Sequence, residues 1–335
     1  MPRHTIQKKE REAIIMTEIK LETTEAAPLP PELESAFREA YEIGSAVTGT
    51  GRVADYIPEL AKADRRAFGI AMLDGQGRSL CLGDAETRFS IQSVCKVIIL
   101  AVSLKAKGQR ETFSHVMMEP SGDAFDSILK LDTRSNRPFN PLINAGAIQL
   151  VSTLVEDFSF EQLMDEARTL CMDERICLNE AVYRSEFESG NRNRAIAYLL
   201  KSKGVLQGDP EKTADLYFKL CSLSVTAKSL AALGLVIANG GVDPFRGEQL
   251  IAREHVRILK SLMFTCGLYD YSGKFGVRVG VPAKSGVGGG LLCAARGPMG
   301  IGLYGPALDE FGNSVAGVAA MEHLSRRLNL HVFDY

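Results

Sequence analysis

The chain has 335 residues, 45% of them apolar and 24% charged, with 39 Lys plus Arg set against 41 Asp plus Glu. A net charge of -2 excludes the basic field that nucleic acid or an anionic membrane surface requires, and a length above about 300 residues predicts one or two domains. Cys81, Cys95, Cys171, Cys177, Cys221, Cys266 and Cys293 are spaced for neither a disulfide framework nor a zinc site, and no apolar run reaches about 18 residues, so a cytoplasmic chain with reduced thiols is expected.

In chain order, residues 1–30 are polar and end in Pro28, Pro30 and Pro31, which predicts a flexible extension. From Glu32 to Val47, Leu33, Phe37, Ala40, Tyr41 and Gly44 keep a helical period. Phe68 to Leu73 and Ser79 to Leu82 read as strands joined by the Asp74 to Gly77 turn. Val94, Val97, Ile98, Leu100, Ala101 and Leu104 then give a helix from about Ser93 to Lys107. The middle is helical in pattern over Phe160 to Leu170, Asn193 to Leu200 and Thr213 to Asn239. Phe275 to Val281, Gly289 to Ala295 and Met299 to Leu303 read as strands, and Asn313 to Leu328 as a closing helix. The expected fold is α+β: residues 31–107 and 271–335 form a five-stranded antiparallel sheet flanked by helices, residues 108–270 a mostly helical insertion, and a cleft lies between them.

Ser93 and Lys96 form an S-x-x-K motif, three residues apart on one helix face. A lysine made neutral by desolvation or by a second cation can take the proton of a serine that is otherwise a poor nucleophile. The same pattern recurs at Ser127 and Lys130, so the motif alone does not choose between them. Lys284, Ser285 and Gly286, followed by Val287, supply the cation, hydroxyl and approachable backbone that serine enzymes of this type carry on a strand edge. Gly300, Gly302 and Gly305 satisfy G-x-G-x-x-G, but Pro306 follows where a helix should open, which leaves a glycine-punctuated strand. The five histidines show no metal spacing, so no metal site is expected.

Seven blocks carry a more specific resemblance: Gly51 to Ala61, Gln92 to Lys96, Glu119 to Gly122, Asn140 to Ala147, Ser185 and Glu186 with Gly190, Arg192 and Asn193, Cys266 to Asp270, and Pro282 to Val287. Together they resemble the serine-dependent glutaminases, over about residues 35–335. The resemblance implies a β-lactamase/transpeptidase-like fold and hydrolysis of the L-glutamine side-chain amide to L-glutamate and ammonia, with no cofactor. It further implies Ser93 as nucleophile, Lys96 as base, Tyr269 as proton relay with Tyr56 near the reacting centre, and Lys284 as a source of positive field. Backbone N–H groups of Ser93 and Val287 would hold the oxyanion, and Asn144, Glu186, Asn193, Tyr217 and Tyr269 would contact substrate. Each alone reads more readily as a cap, turn or packing residue, and only the combined register favours a site. Two rivals are another S-x-x-K acyl-serine enzyme, such as a β-lactamase or transpeptidase, and a non-catalytic binding module. A homo-oligomer, dimer or tetramer, is expected for a chain of this size.

Overall fold

The computed structural model describes residues 28–121 and 137–334. Apart from residues 28–30, where Leu29 packs on the core, the expected extension lies outside the described residues.

The chain opens with α1 (Pro31–Val47), hairpin strands β1 (Gly69–Asp74) and β2 (Ser79–Gly83), the short β3 (Phe89–Ser90) and a 3-10 turn at Gln92–Val94. Helix α2 (Cys95–His115) follows, with a left-handed break at Gly108 (φ 73°) that ends its regular part where the apolar pattern does. The middle comprises α3 (Asn144–Leu154), α4 (Phe160–Cys171), β4 (Cys177–Leu178), α5 (Glu180–Ser189), α6 (Asn191–Ser202), α7 (Pro210–Cys221), β5 (Leu223–Val225), α8 (Ala227–Ala238) and α9 (Arg253–Cys266). The last part is α10 (Ser272–Arg278), β6 (Ala283–Ser285), β7 (Gly290–Ala295), β8 (Met299–Tyr304) and α11 (Val315–Leu328).

Five strands form an antiparallel sheet in the order β2-β1-β8-β7-β6, so the chain's N-terminal hairpin and C-terminal strands do meet in one sheet. One face carries Ile70, Met72, Leu291, Cys293, Ile301 and Leu303 against Phe37 and Ala40 of α1 and Ala320, Met321 and Leu324 of α11. Helix α8 covers the other face. There the G-x-G pattern has its physical reason: a Cβ on Gly300 would stand 1.9 Å from the Ala231 carbonyl oxygen, and one on Gly302 1.9 Å from that of Ala227. Only bare backbone lets α8 lie this close. A second, small sheet of order β3-β5-β4 joins the segment before Ser93 to the helical middle.

Two expectations are corrected. Phe275 to Val281 is not a strand: Tyr271, Phe275 and Val279 share one buried helix face, while Val277 is 81% exposed. Apolar residues at 275, 277, 279 and 281 satisfy both periods, and packing selected the helical one; the sheet's third C-terminal strand is Ala283–Ser285. The stretch from Thr213 to Asn239 is two helices, because β5 intervenes and Thr226 starts α8 with a reciprocal cap to Ser229. Among the described residues no helix is long and apolar enough to cross a membrane.

Candidate active site

Strand β3 and the residue after it fix where Ser93 begins. Ser90 Oγ donates to the Cys221 carbonyl at 2.9 Å, and Ile91 N–H donates to the Leu223 carbonyl at 2.8 Å. The chain then turns through Gln92, whose φ of 47° is left-handed, and enters the 3-10 turn that carries Ser93. Such a backbone costs about 1 kcal/mol or more and persists only where its surroundings enforce it. Here the Gln92 amide donates to Ser90 Oγ at 2.9 Å and to Glu186 Oε2 at 3.2 Å.

One turn beyond Ser93, at the second residue of α2, Lys96 is fully buried, and its Nζ stands 3.0 Å from Ser93 Oγ and 2.7 Å from Asn144 Oδ1. Asn144 opens α3 because Gly146 lets the helix start against the preceding turn: a Cβ there would sit 1.9 Å from the Asn140 carbonyl oxygen. Asn144 Nδ2 donates to Asn193 Oδ1 at 2.9 Å, and the Tyr217 hydroxyl reaches Asn144 Oδ1 at 3.5 Å. Ser93, Lys96, Asn144, Asn193 and Tyr217 are therefore one connected polar network.

Across from it runs β6. Lys284 is fully buried and its Nζ donates to the carbonyls of Gly267 at 2.9 Å and Ser285 at 2.5 Å, under the Tyr269 ring at 4.3 Å. Burial and then the charge of Lys96 hold the Lys284 ammonium well below the ordinary lysine range. The glycines after it allow contact with the Ser93 turn, since a Cβ on Gly286 would lie 3.3 Å from Ser93 N and one on Gly288 2.3 Å from the Ser90 carbonyl oxygen. Tyr269 (φ 53°) points its hydroxyl at the Ser285 carbonyl, 3.3 Å away. Burial pushes its phenol up, while a hydrogen bond with Ser93 draws it back.

These groups surround a cavity of about 380 Å³, large enough for a small polar ligand. Tyr56, Ser93, Asn144, Glu186, Asn193, Tyr217 and Val287 all line it, with Tyr56 at the mouth and 55% exposed. Glu186 is buried, and burial raises its carboxyl to about 7 against the opposing pull of the Gln92 amide and the Lys96 charge. Seven of the expected residues thus line one cavity, while Lys96 and Lys284 are buried behind it, in contact with Ser93 and with the Tyr269 ring respectively, and Tyr269 lines a neighbouring hollow. Ser127 and Lys130 of the second S-x-x-K pattern lie outside the described residues. The wall also contains Gln92, Ser189, Arg192 and Cys221, which sequence reasoning left without a role. Position beside Ser93 was the available signal for Gln92; nothing marked Cys221.

An antiparallel sheet with helices on both faces, and a buried serine–lysine pair facing a Lys-Ser-Gly strand edge across a cavity, together define the S-x-x-K class of serine hydrolases. Within that class, the sequence profile of the glutaminases matches residues 51–333. The chain belongs to the glutaminase family. It is 48% identical over 288 residues to Glutaminase 2 of Clostridium perfringens, covering 84% of this chain and 94% of that one. It is 46% identical over 304 residues to a glutaminase of Clostridioides difficile, covering 90% and 98%. The structure superposes with a TM-score of 0.82 and 35% identity on Bacillus subtilis glutaminase YbgJ in covalent complex with 5-oxo-L-norleucine, formed by reaction with 6-diazo-5-oxo-L-norleucine, covering 91% of this chain and 100% of that one.

Proposed function

We infer that this chain hydrolyses the side-chain amide of L-glutamine through a γ-glutamyl ester on Ser93. The observation that carries the reading is the 3.0 Å approach of Lys96 Nζ to Ser93 Oγ at the wall of a cavity that also holds a buried carboxylate, Glu186. With Lys96 neutral, the serine hydroxyl donates its proton to the amine as Oγ bonds to the amide carbon. The repulsion that lowers Lys284 acts between both lysines, so a proton carried by Lys284 favours the neutral state of Lys96. The carbonyl oxygen becomes an oxyanion facing the N–H groups of Ser93 and Val287, an interaction worth about 3 kcal/mol per donor in comparable sites. Collapse breaks the C–N bond, and nitrogen leaves as ammonia with a proton returned through Tyr269 or Lys96. Water, deprotonated by the same groups, then attacks the ester and releases glutamate.

Glu186 answers the substrate's α-ammonium, and Asn144, Asn193, Tyr217 and Tyr269 orient its carboxylate and amide. Tyr56 stands at the mouth, beside the path of the incoming ligand. The covalent 6-diazo-5-oxo-L-norleucine adduct of the Bacillus protein supports a nucleophile in the glutamine site, because that reagent is a glutamine analogue. We further propose a homo-oligomeric enzyme in the cytoplasm, in keeping with seven free thiols. Residues 31–107 with 271–335 and residues 108–270 supply the two walls of the cleft, with α8 docked on the sheet side.

The test is ammonia release from L-glutamine by the purified chain, beside Ser93→Ala and Lys96→Ala. Both variants should lose turnover by at least about a thousandfold while staying folded. Equal rates for the wild type and Ser93→Ala would falsify the nucleophile assignment.

A further inference from the structure

Two cysteines that the reaction does not use stand beside it. Cys95, first residue of α2, lies between Ser93 and Lys96, and Cys221 is the last residue of α7, one turn beyond Tyr217. Both are buried, at 1% and 2% exposure, and their sulfurs are 3.7 Å apart. Cys221 also lines the substrate cavity, so a small reagent entering it meets one thiol with the second 3.7 Å away.

The separation selects a chemistry. A disulfide requires about 2.05 Å between sulfurs and an oxidant, whereas the two thiols here are reduced and in S–H···S contact. Thiolate bonds to a single soft centre are about 2.3 Å long, and two of them diverging at roughly 100 to 110° place their sulfurs about 3.5 to 3.8 Å apart. The pair is already at that spacing. Among the described residues no third metal-ligating side chain completes a cluster, which suits a centre that needs only two thiols from the protein. Burial and the neighbouring Cys95 push the Cys221 thiol well up, so the incoming centre must itself carry away the proton.

We propose that Cys95 and Cys221 form a two-thiol inhibitory site for trivalent arsenic, entered through the glutamine cavity. With phenylarsine oxide the step balances without redox change. Two As–S bonds form, both S–H bonds break, and the oxygen leaves with the two protons as water. The bridged arsenic then occupies space beside Ser93 and Lys96 and excludes substrate.

The full chain is titrated with phenylarsine oxide, and adduct mass, cysteine mapping and ammonia release are read together. The expected result is one aryl-arsenic per chain joining the peptides of Cys95 and Cys221, removed by 2,3-dimercaptopropanol and not by glutathione, with activity reduced about tenfold or more. Cys95→Ala should keep its basal turnover and lose both adduct and inhibition; Cys95→Ser serves equally should alanine impair folding. Arsenic mapped to other cysteines, no adduct on the wild type, or unchanged inhibition of Cys95→Ala overturns the proposal. The adduct is read by mass, so its absence is distinguishable from any failure of the glutaminase reading.

Discussion

Glu186→Gln should make the protein more stable and nearly inactive. The ordinary glutamate value is 4.5 and that of Glu186 is about 7, a difference equivalent to about 3 kcal/mol of extra cost for holding the charge in the fold. The folded-state value is raised, so the penalty is absent below pH 4.5, where the carboxyl is neutral in both states. It grows as pH rises from 4.5 to 7 and is complete above that. The glutamine amide removes the charge and can still accept from Gln92. Urea unfolding followed by circular dichroism should show a gain of under about 1 kcal/mol at pH 5 and about 3 kcal/mol at pH 8. In the same variant kcat/KM for L-glutamine should fall by two orders of magnitude or more, since losing one partner of a buried charge pair costs about 2 to 5 kcal/mol. A variant no more stable than wild type at pH 8, with unchanged kcat/KM, would refute the reasoning.

Gln92→Leu removes the amide that holds Glu186 in its ionised form, so the rise in KM on acidification should begin at higher pH than in wild type, as read from KM across pH 6 to 9. Gly302→Ala forces a methyl against the Ala227 carbonyl at 1.9 Å; urea denaturation should show a loss of about 2 kcal/mol or more, whereas Val277→Lys at an 81% exposed position should stay within about 0.5 kcal/mol. Wild-type kcat should climb from neutral to alkaline pH as Lys96 loses its proton, and a flat pH–rate profile would count against a lysine base.

Much of the sheet was legible because its strands are bounded by glycine turns and, apart from edge strand β2, their apolar residues are almost all buried. The segment at 275–281 misled because valines at every second position meet two periodicities at once, and only the exposure of Val277 separates them. Helix α8 was legible as a helix but not as part of the sheet layer, since the glycines that receive it, Gly300 and Gly302, lie some seventy residues further along the chain. The spacing of Ser93 and Lys96 puts them on one helix face, but the same spacing at Ser127 and Lys130 meant that only the other motif blocks could choose between the pairs. The pairing of Asn144 with Lys96, and of Gln92 with Glu186, depends on long-range folding that no local pattern encodes.

The position of α8 bears on how the cleft works. The helix leaves the middle of the chain and is pressed onto bare backbone of β8, so the two walls of the cavity are riveted together rather than joined by a pivot. Opening and shutting by lobe rotation would tear that seam, and the mouth is marked by the exposed Tyr56. A rigid image of the cavity is accordingly a sound template for choosing inhibitors, and residues 108–270 produced alone would expose the apolar side of α8 and precipitate.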